Sequence, residues 1–239
     1  MIEAHLLKLR ARDQLSDEEE QAVRGLFSEV RDVPADKTVV RAGEHLKVSL
    51  LLLDGLFCRY KDLRDGSRQI SELHVPGDFA DLHSFTLKRL DHSILTLTRC
   101  RIAVAPHERI MAAITEYPHL ARVFWLTTNM DAALHREWVL SLGRRTALSR
   151  TAHLLCELQA RLAVVGLADE TGYALNLTQT DLAECLGLTA VHVNRTLKEL
   201  RERNLVEFRN RRVTIEDLPG LRRVAEFDPS YLYLDAEPR

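Results

Sequence analysis

No apolar stretch in this chain reaches the length needed to cross a bilayer, which excludes a membrane-spanning helix. The start, MIEAHLLKLRARDQLSDEEE, lacks the charged-then-apolar order of a secretory signal, so a cytoplasmic location is expected. Cysteine is scarce: Cys58, Cys100, Cys156 and Cys185 stand far apart, with no C-x-x-C spacing for a zinc or redox site, and reduced buried thiols are expected. Low-complexity tracts are absent, and no repeat is visible beyond a spacing of glycines. Neither sign of charge dominates. The 33 Lys+Arg against 35 Asp+Glu leave whole-chain charge silent about nucleic acid, so local charge has to decide. What is present is a 46% hydrophobic content over 239 residues, enough for two modest packed domains.

Ser16 with Glu19 three residues on is a capping-box pattern and predicts a short helix to about Phe27. From about Lys37 to Ala105 the runs KTVVR, VSLLLL, LFCRY, RQISELHV and HSILTLTRCRIAVA read as strands, and Gly43, Gly55, Gly66 and Gly77, about eleven residues apart, as their turns. This half is β-rich, a sandwich or roll. Pro106 opens a helical region, and Pro118 precedes a long helix ending near Gly143. The apolar residues of that helix occupy more than one face. One face is expected to cover the β domain and the other to meet a second copy, with the seam at Val123, Met130, Leu134 and Trp138. The alternative is a central helix buried within one chain. Another helix is expected from Arg144 to about Val165, a polar connection at Gly166–Gly172, and a hinge at Ser141–Gly143.

The C-terminal third carries the most specific pattern. Thr178 with Asp181 starts a helix in TQTDLAECLG that turns Leu182, Ala183 and Leu186 inward and stops at Gly187. Thr189 caps the next helix, whose inward stripe is Val193, Leu197 and Leu200. A small residue at the crossing, a glycine in the turn and an apolar residue inside the second helix meet the steric needs of a helix-turn-helix. Opposite that stripe lie Val191, His192, Asn194 and Arg195, the base-reading candidates. Arginine suits guanine, asparagine suits adenine, and an apolar tip suits the thymine methyl. Between Ala190 and Ile215 seven Lys/Arg (Arg195, Lys198, Arg201, Arg203, Arg209, Arg211, Arg212) face Glu199, Glu202 and Glu207. Thr178, Gln179, Thr189, Lys198, Arg209 and Arg211 are the phosphate candidates. LVEFRNRRVTI alternates on either side of Arg209–Arg211 as a two-stranded wing would. The pattern implies a regulator that binds double-stranded DNA, rather than an enzyme.

The glycine-punctuated β half, the GDF element at Gly77, Asp78 and Phe79, and LTQTDLAECLGLTAVHVNRTLKELRERNLVE together resemble the Crp/Fnr family of transcription regulators. The resemblance spans nearly the whole chain. It implies an α+β chain: a cyclic-nucleotide-binding-like antiparallel β-roll sensor with flanking helices over 1–118, a dimerisation helix and hinge over 119–143, and a winged helix-turn-helix over 144–239. It further implies a homodimer on a palindromic operator, RNA polymerase as a partner, and Arg195 in the place of the family's recognition arginine.

Two departures bear on the effector. Family members that bind cyclic AMP carry a Gly-Glu pair after GDF and a later Arg-Ser or Arg-Thr pair. Here those places read Asp81-Leu82 and Leu90-Asp91-His92-Ser93, and Asp91 would repel a cyclic phosphate. The oxygen-sensing branch holds an iron-sulfur cluster through N-terminal cysteines, and no cysteine precedes Cys58. Neither cofactor is expected, and any effector in the roll should differ from cyclic AMP. Asp81, His83 and His92 are the effector candidates. His83 falls near the haem-ligating histidine of the family's carbon monoxide sensor, whose adjacent cysteine is replaced by Asp81; a lone loop histidine is more often a hydrogen-bonded structural group. The rival reading is a haem- or metal-binding sensor, or a cupin-like metalloenzyme, built on His74, Asp81, His83 and His92.

Overall fold

Two helices lead the chain in the computed structural model, which describes residues 2–234. α1 (Glu3–Arg10) was not legible as an amphipathic run, because its buried residues include His5 and Lys8 beside Leu6 and Leu9. Their partners lie in the GDF element: His5 Nδ1 bonds to the Gly77 carbonyl at 2.9 Å, and Lys8 pairs with Asp78. Gly77 sits at φ +90°, and a Cβ there would lie 2.7 Å from the Ala4 carbonyl oxygen. The motif is thus a docking point for α1. α2 (Asp17–Gly25) begins on the expected capping box, the Ser16 hydroxyl accepting from the Glu19 amide at 3.2 Å and the Glu19 carboxylate from the Ser16 amide at 2.9 Å.

Seven strands follow: β1 (Glu29–Val33), β2 (Lys37–Val40), β3 (Val48–Asp54), β4 (Phe57–Asp62), β5 (Arg68–His74), β6 (Ser93–Thr96) and β7 (Cys100–Pro106), with the short α3 (Ser84–Leu87) between β5 and β6. They form two sheets, ordered β1-β7-β3 and β2-β6-β4-β5. The apolar run of β3 is explained by burial on both faces. Leu50 and Leu52 join Ile102 and Val104 of β7 in one core cluster, while Leu51 joins Ala103 and Ala105 in another beneath the helices. The run HSILTLTRCRIAVA is two strands rather than one, broken at Leu97–Arg99.

α4 (His107–Glu116) and α5 (Pro118–Arg144) complete this part. The chain divides into two compact units: one holds the chain through Tyr60 and Leu73–Ala133, the other Lys61–Glu72 and Leu134–Leu232. The division falls inside α5. The expected hinge at Ser141–Gly143 is corrected: α5 is helical through Arg144, and the break comes at Arg145–Thr146, where the Thr146 hydroxyl caps α6 (Ala147–Ala163) by accepting from the Ser149 amide at 3.2 Å. Within the second unit the expected connection at Gly166–Gly172 contains a small hairpin, β8 (Ala168–Asp169) and β9 (Gly172–Ala174). α7 (Gln179–Leu186), α8 (Ala190–Glu202), β10 (Val206–Arg209), β11 (Arg212–Ile215) and α9 (Leu218–Ala225) follow, then a 3-10 turn at Pro229–Leu232. The wing is one edge of a four-stranded sheet ordered β10-β11-β9-β8.

Gly77→Ala is expected to destabilise the protein by about 1–3 kcal/mol through its clash and its left-handed φ. Gly66, at φ +85° with nothing near its would-be Cβ, isolates the conformational share. Denaturant melts should show the Gly77 variant losing clearly more than Gly66→Ala.

Candidate nucleic-acid interface and buried sensor cluster

Thr178 starts α7 with a complete capping box on Asp181, and Gly187 ends it at φ +58°. The Thr189 hydroxyl accepts from the His192 amide at 3.2 Å and begins α8. Val193 and Leu200 are buried as expected, but the third inward position is Thr196, not Leu197, which is only half-buried. Thr196 Oγ1 donates to the Val193 carbonyl at 2.9 Å and lies 3.3 Å from Thr151 Oγ1, so a satisfied hydroxyl replaces an apolar contact.

The other face of α8 is open. Val191 is 70% exposed, and His192, Asn194 and Arg195 are also exposed. No described residue pairs with the Arg195 guanidinium. Asn194 and Gln179 exchange two amide hydrogen bonds at 2.7 and 2.6 Å, which leaves Asn194 one N–H and one lone pair for a ligand. The Thr178 hydroxyl is engaged with Asp181, whereas the Thr189 hydroxyl keeps its proton for an outside acceptor. Lys198 pairs loosely with Glu202 at 3.6 Å, an exposed contact of little strength. At the wing tip Asn210 and Arg211 turn the chain at φ +52° and +59°, leaving Arg209, Arg211 and Arg212 exposed. Sequence reasoning missed Gln69, whose side-chain amide donates to the Glu184 carbonyl at 2.8 Å and the Cys185 carbonyl at 3.3 Å, covering the C-terminal end of α7.

Most of the expected seam residues of α5 are packed within the chain. Val123 belongs to the helical core cluster, Leu134 is buried, and the Trp138 indole N–H donates to both Glu157 carboxylate oxygens at 3.2 Å. Met130 is half-buried. Three of the four expected positions are therefore occupied within the chain itself. The open stripe of α5 runs through Trp125, Asn129, Ala132, Arg136, Val139 and Gly143, with Trp125 69% and Val139 70% exposed.

In the first unit a charged cluster lies below the roll surface. Arg59 on β4 is 1% exposed; its guanidinium donates to the Ala80 carbonyl at 2.9 and 2.6 Å and to Asp131 of α5 at 2.7 Å. His83 Nδ1 stands 3.7 Å from the same Asp131 oxygen, and the His83 and His92 rings are 5.5 Å apart. Burial opposes ionisation of Asp131, yet the Arg59 charge and the neighbouring His83 hold its carboxyl well below the usual range. Burial, with Arg59, depresses His92 to about 4. Asp81, an expected effector residue, has a core role instead: it is fully buried and accepts from the Leu50 amide at 2.6 Å. His74 is buried on β5. Among the described residues no three His, Cys, Asp or Glu side chains are arranged to hold a metal ion, so the cupin-like alternative has no ligand set there.

An exposed helix-turn-helix with a basic wing, following a two-sheet roll and a long helix, defines a DNA-binding regulator with an effector-binding domain. Residues 149–224 match the Crp-like helix-turn-helix domain and residues 30–117 the cyclic nucleotide-binding domain. The transcriptional activator protein FnrL of Cereibacter sphaeroides is 30% identical over 205 residues, covering 83% of this chain and 81% of that protein. The nitrogen fixation regulation protein FixK of Azorhizobium caulinodans is 30% identical over 175 residues, covering 73% and 70%. The structure of FixK2 from Bradyrhizobium japonicum shares the fold with a TM-score of 0.74 at 24% identity, covering 88% of this chain and 98% of that one. The chain belongs to the Crp/Fnr family of transcription regulators.

Burial pushes the Asp81 carboxyl up to about 7, against the opposing Leu50 hydrogen bond and Arg59 charge. A raised folded-state value favours the neutral acid, so its stabilising share is complete below about pH 4 and is lost as pH rises through about 7. Asp81→Asn keeps an acceptor for the Leu50 amide. It should match the parent protein in thermal melts near pH 4 and melt several degrees higher at pH 8; a lower Tm at pH 8 would show that the charge is needed.

Proposed function

We propose that this protein binds a palindromic operator as a homodimer, reading bases with Val191, His192, Asn194 and Arg195 of each α8. The observation that carries this reading is the open face of α8, with an unpaired arginine one turn from its N-terminus, the part of a recognition helix that meets base edges in the major groove. Thr189, Lys198, Arg209 and Arg211 serve the phosphates, joined by Thr178 and Gln179 once they leave Asp181 and Asn194. The protein works in the cytoplasm, beside RNA polymerase. An effector other than cyclic AMP, acting in the first unit, sets its DNA affinity.

The dimer seam in this proposal is the open stripe of α5. Its residues recur at alternating steps of four and three, the 3.5-residue period that lets two helices pack along their length. Exposed Val139 and the small Ala132 supply the contact, and Trp125 at the head of the stripe stays outside it, against the cleft between α3, α4 and α5. Leu134 is unsuited as a probe, since a charge there tests folding.

Arg195→Ala should cost about 1–3 kcal/mol on operator DNA and much less on random DNA, measured by retardation at fixed salt. Equal losses on both would assign Arg195 to the backbone. Val139→Glu should sediment as a folded monomer and lose the two-half-site complex. A dimer that persists would place the seam elsewhere.

A further inference from the structure

Between α3, α4 and α5 of the first unit lies a cleft of about 320 Å³, at the lower end of the roughly 300–1,000 Å³ typical of small-molecule sites. Leu82 and Phe85 line it from the α3 side, Ile110 and Ile114 from α4, and Phe124 and Trp125 from α5. No acidic side chain lines it, and His83 is the one titratable group among its lining residues. The Thr86 and Thr128 hydroxyls on its wall donate to the carbonyls of His83 and Trp125 and so have no proton to offer. His83 is therefore the wall's polar handle. Asp131 stands beside its Nδ1, and the Asp131 charge is already held by buried Arg59. A basic group borders the cleft as well, since the Lys88 ammonium lies 5.0 Å from the Phe85 ring centre.

We infer that this cleft binds a small, mainly apolar carboxylic acid, its aryl or branched acyl body against the six apolar residues and its carboxylate on the His83 imidazole. A ring N–H of His83 donates to the ligand carboxylate, and the ionised acceptor makes this a charge-assisted hydrogen bond. A cationic ligand would meet His83 and Lys88 with no free acid to receive it. Occupancy covers Trp125, the large apolar residue at the head of the open α5 stripe, so the acid is an effector in the sense of the regulator reading, on which this inference rests.

The probe is 4-phenylbutyrate, with its neutral amide and with acetate as controls, added to the full-length protein. Trp125 and Trp138 are the two tryptophans, and only Trp125 is exposed, so its emission reports the cleft. Saturable blue-shifted emission is expected with phenylbutyrate, absent in Trp125→Phe, and at least tenfold weaker binding of the amide and of acetate. His83→Gln should lose about tenfold in calorimetric affinity for the acid and leave the amide unchanged, while Ile114→Arg should abolish binding at unchanged far-ultraviolet circular dichroism. The inference is overturned if phenylbutyrate fails to saturate, if acid and amide bind alike, or if His83→Gln binds as well as the parent. Operator retardation in parallel separates the two claims: DNA binding without acid binding overturns the cleft alone, and acid binding without DNA binding overturns the regulator reading.

Discussion

A 27-residue helix offers more apolar surface than its own chain covers, and that constraint governs how α5 can be used. Its inward positions are taken by Val123, Phe124, Ala133, Leu134 and Trp138. The remaining stripe leaves Trp125 and Val139 largely in water. In the proposed homodimer a second copy would cover Val139 and Ala132 with one symmetric contact, because an isologous interface needs only one self-complementary patch. Two α8 helices then come with each assembly, as a two-fold operator requires.

The same helix carries Asp131, which holds the buried Arg59 of the roll. Removing either partner would leave a charge in a low-dielectric interior, a loss usually of several kcal/mol. Such a pair fixes a segment of α5 against β4 and the Ala80 carbonyl within the first unit. Side chains that touch this cluster, His83 above all, are therefore placed to bias the helix whose open stripe forms the proposed seam.

Elements fixed by local rules were legible in the sequence. The capping boxes at Ser16 and Thr178, the cap at Thr189, the glycine stop at Gly187 and the alternation about Arg209–Arg211 each rest on neighbours within a few residues. What depended on distant partners was not. α1 needed Gly77 and Asp78, about seventy residues away, to make sense of buried His5 and Lys8. The Arg59–Asp131 pair joins residues 72 apart. Small β8 and β9 pair with each other and, through β9, with the wing. The packing of Val123, Leu134 and Trp138 within the chain likewise depends on distant partners, and the open stripe of α5 mixes Trp125 and Val139 with Asn129 and Arg136.

The central claim, two α8 helices reading one symmetric site, is tested most directly by a hydroxyl-radical and base-methylation footprint of the full-length protein on an operator selected from random DNA. Two equivalent protected major-groove patches on one face of the duplex, about one helical turn apart between centres, are predicted. A single patch, or protection without symmetry, would contradict it.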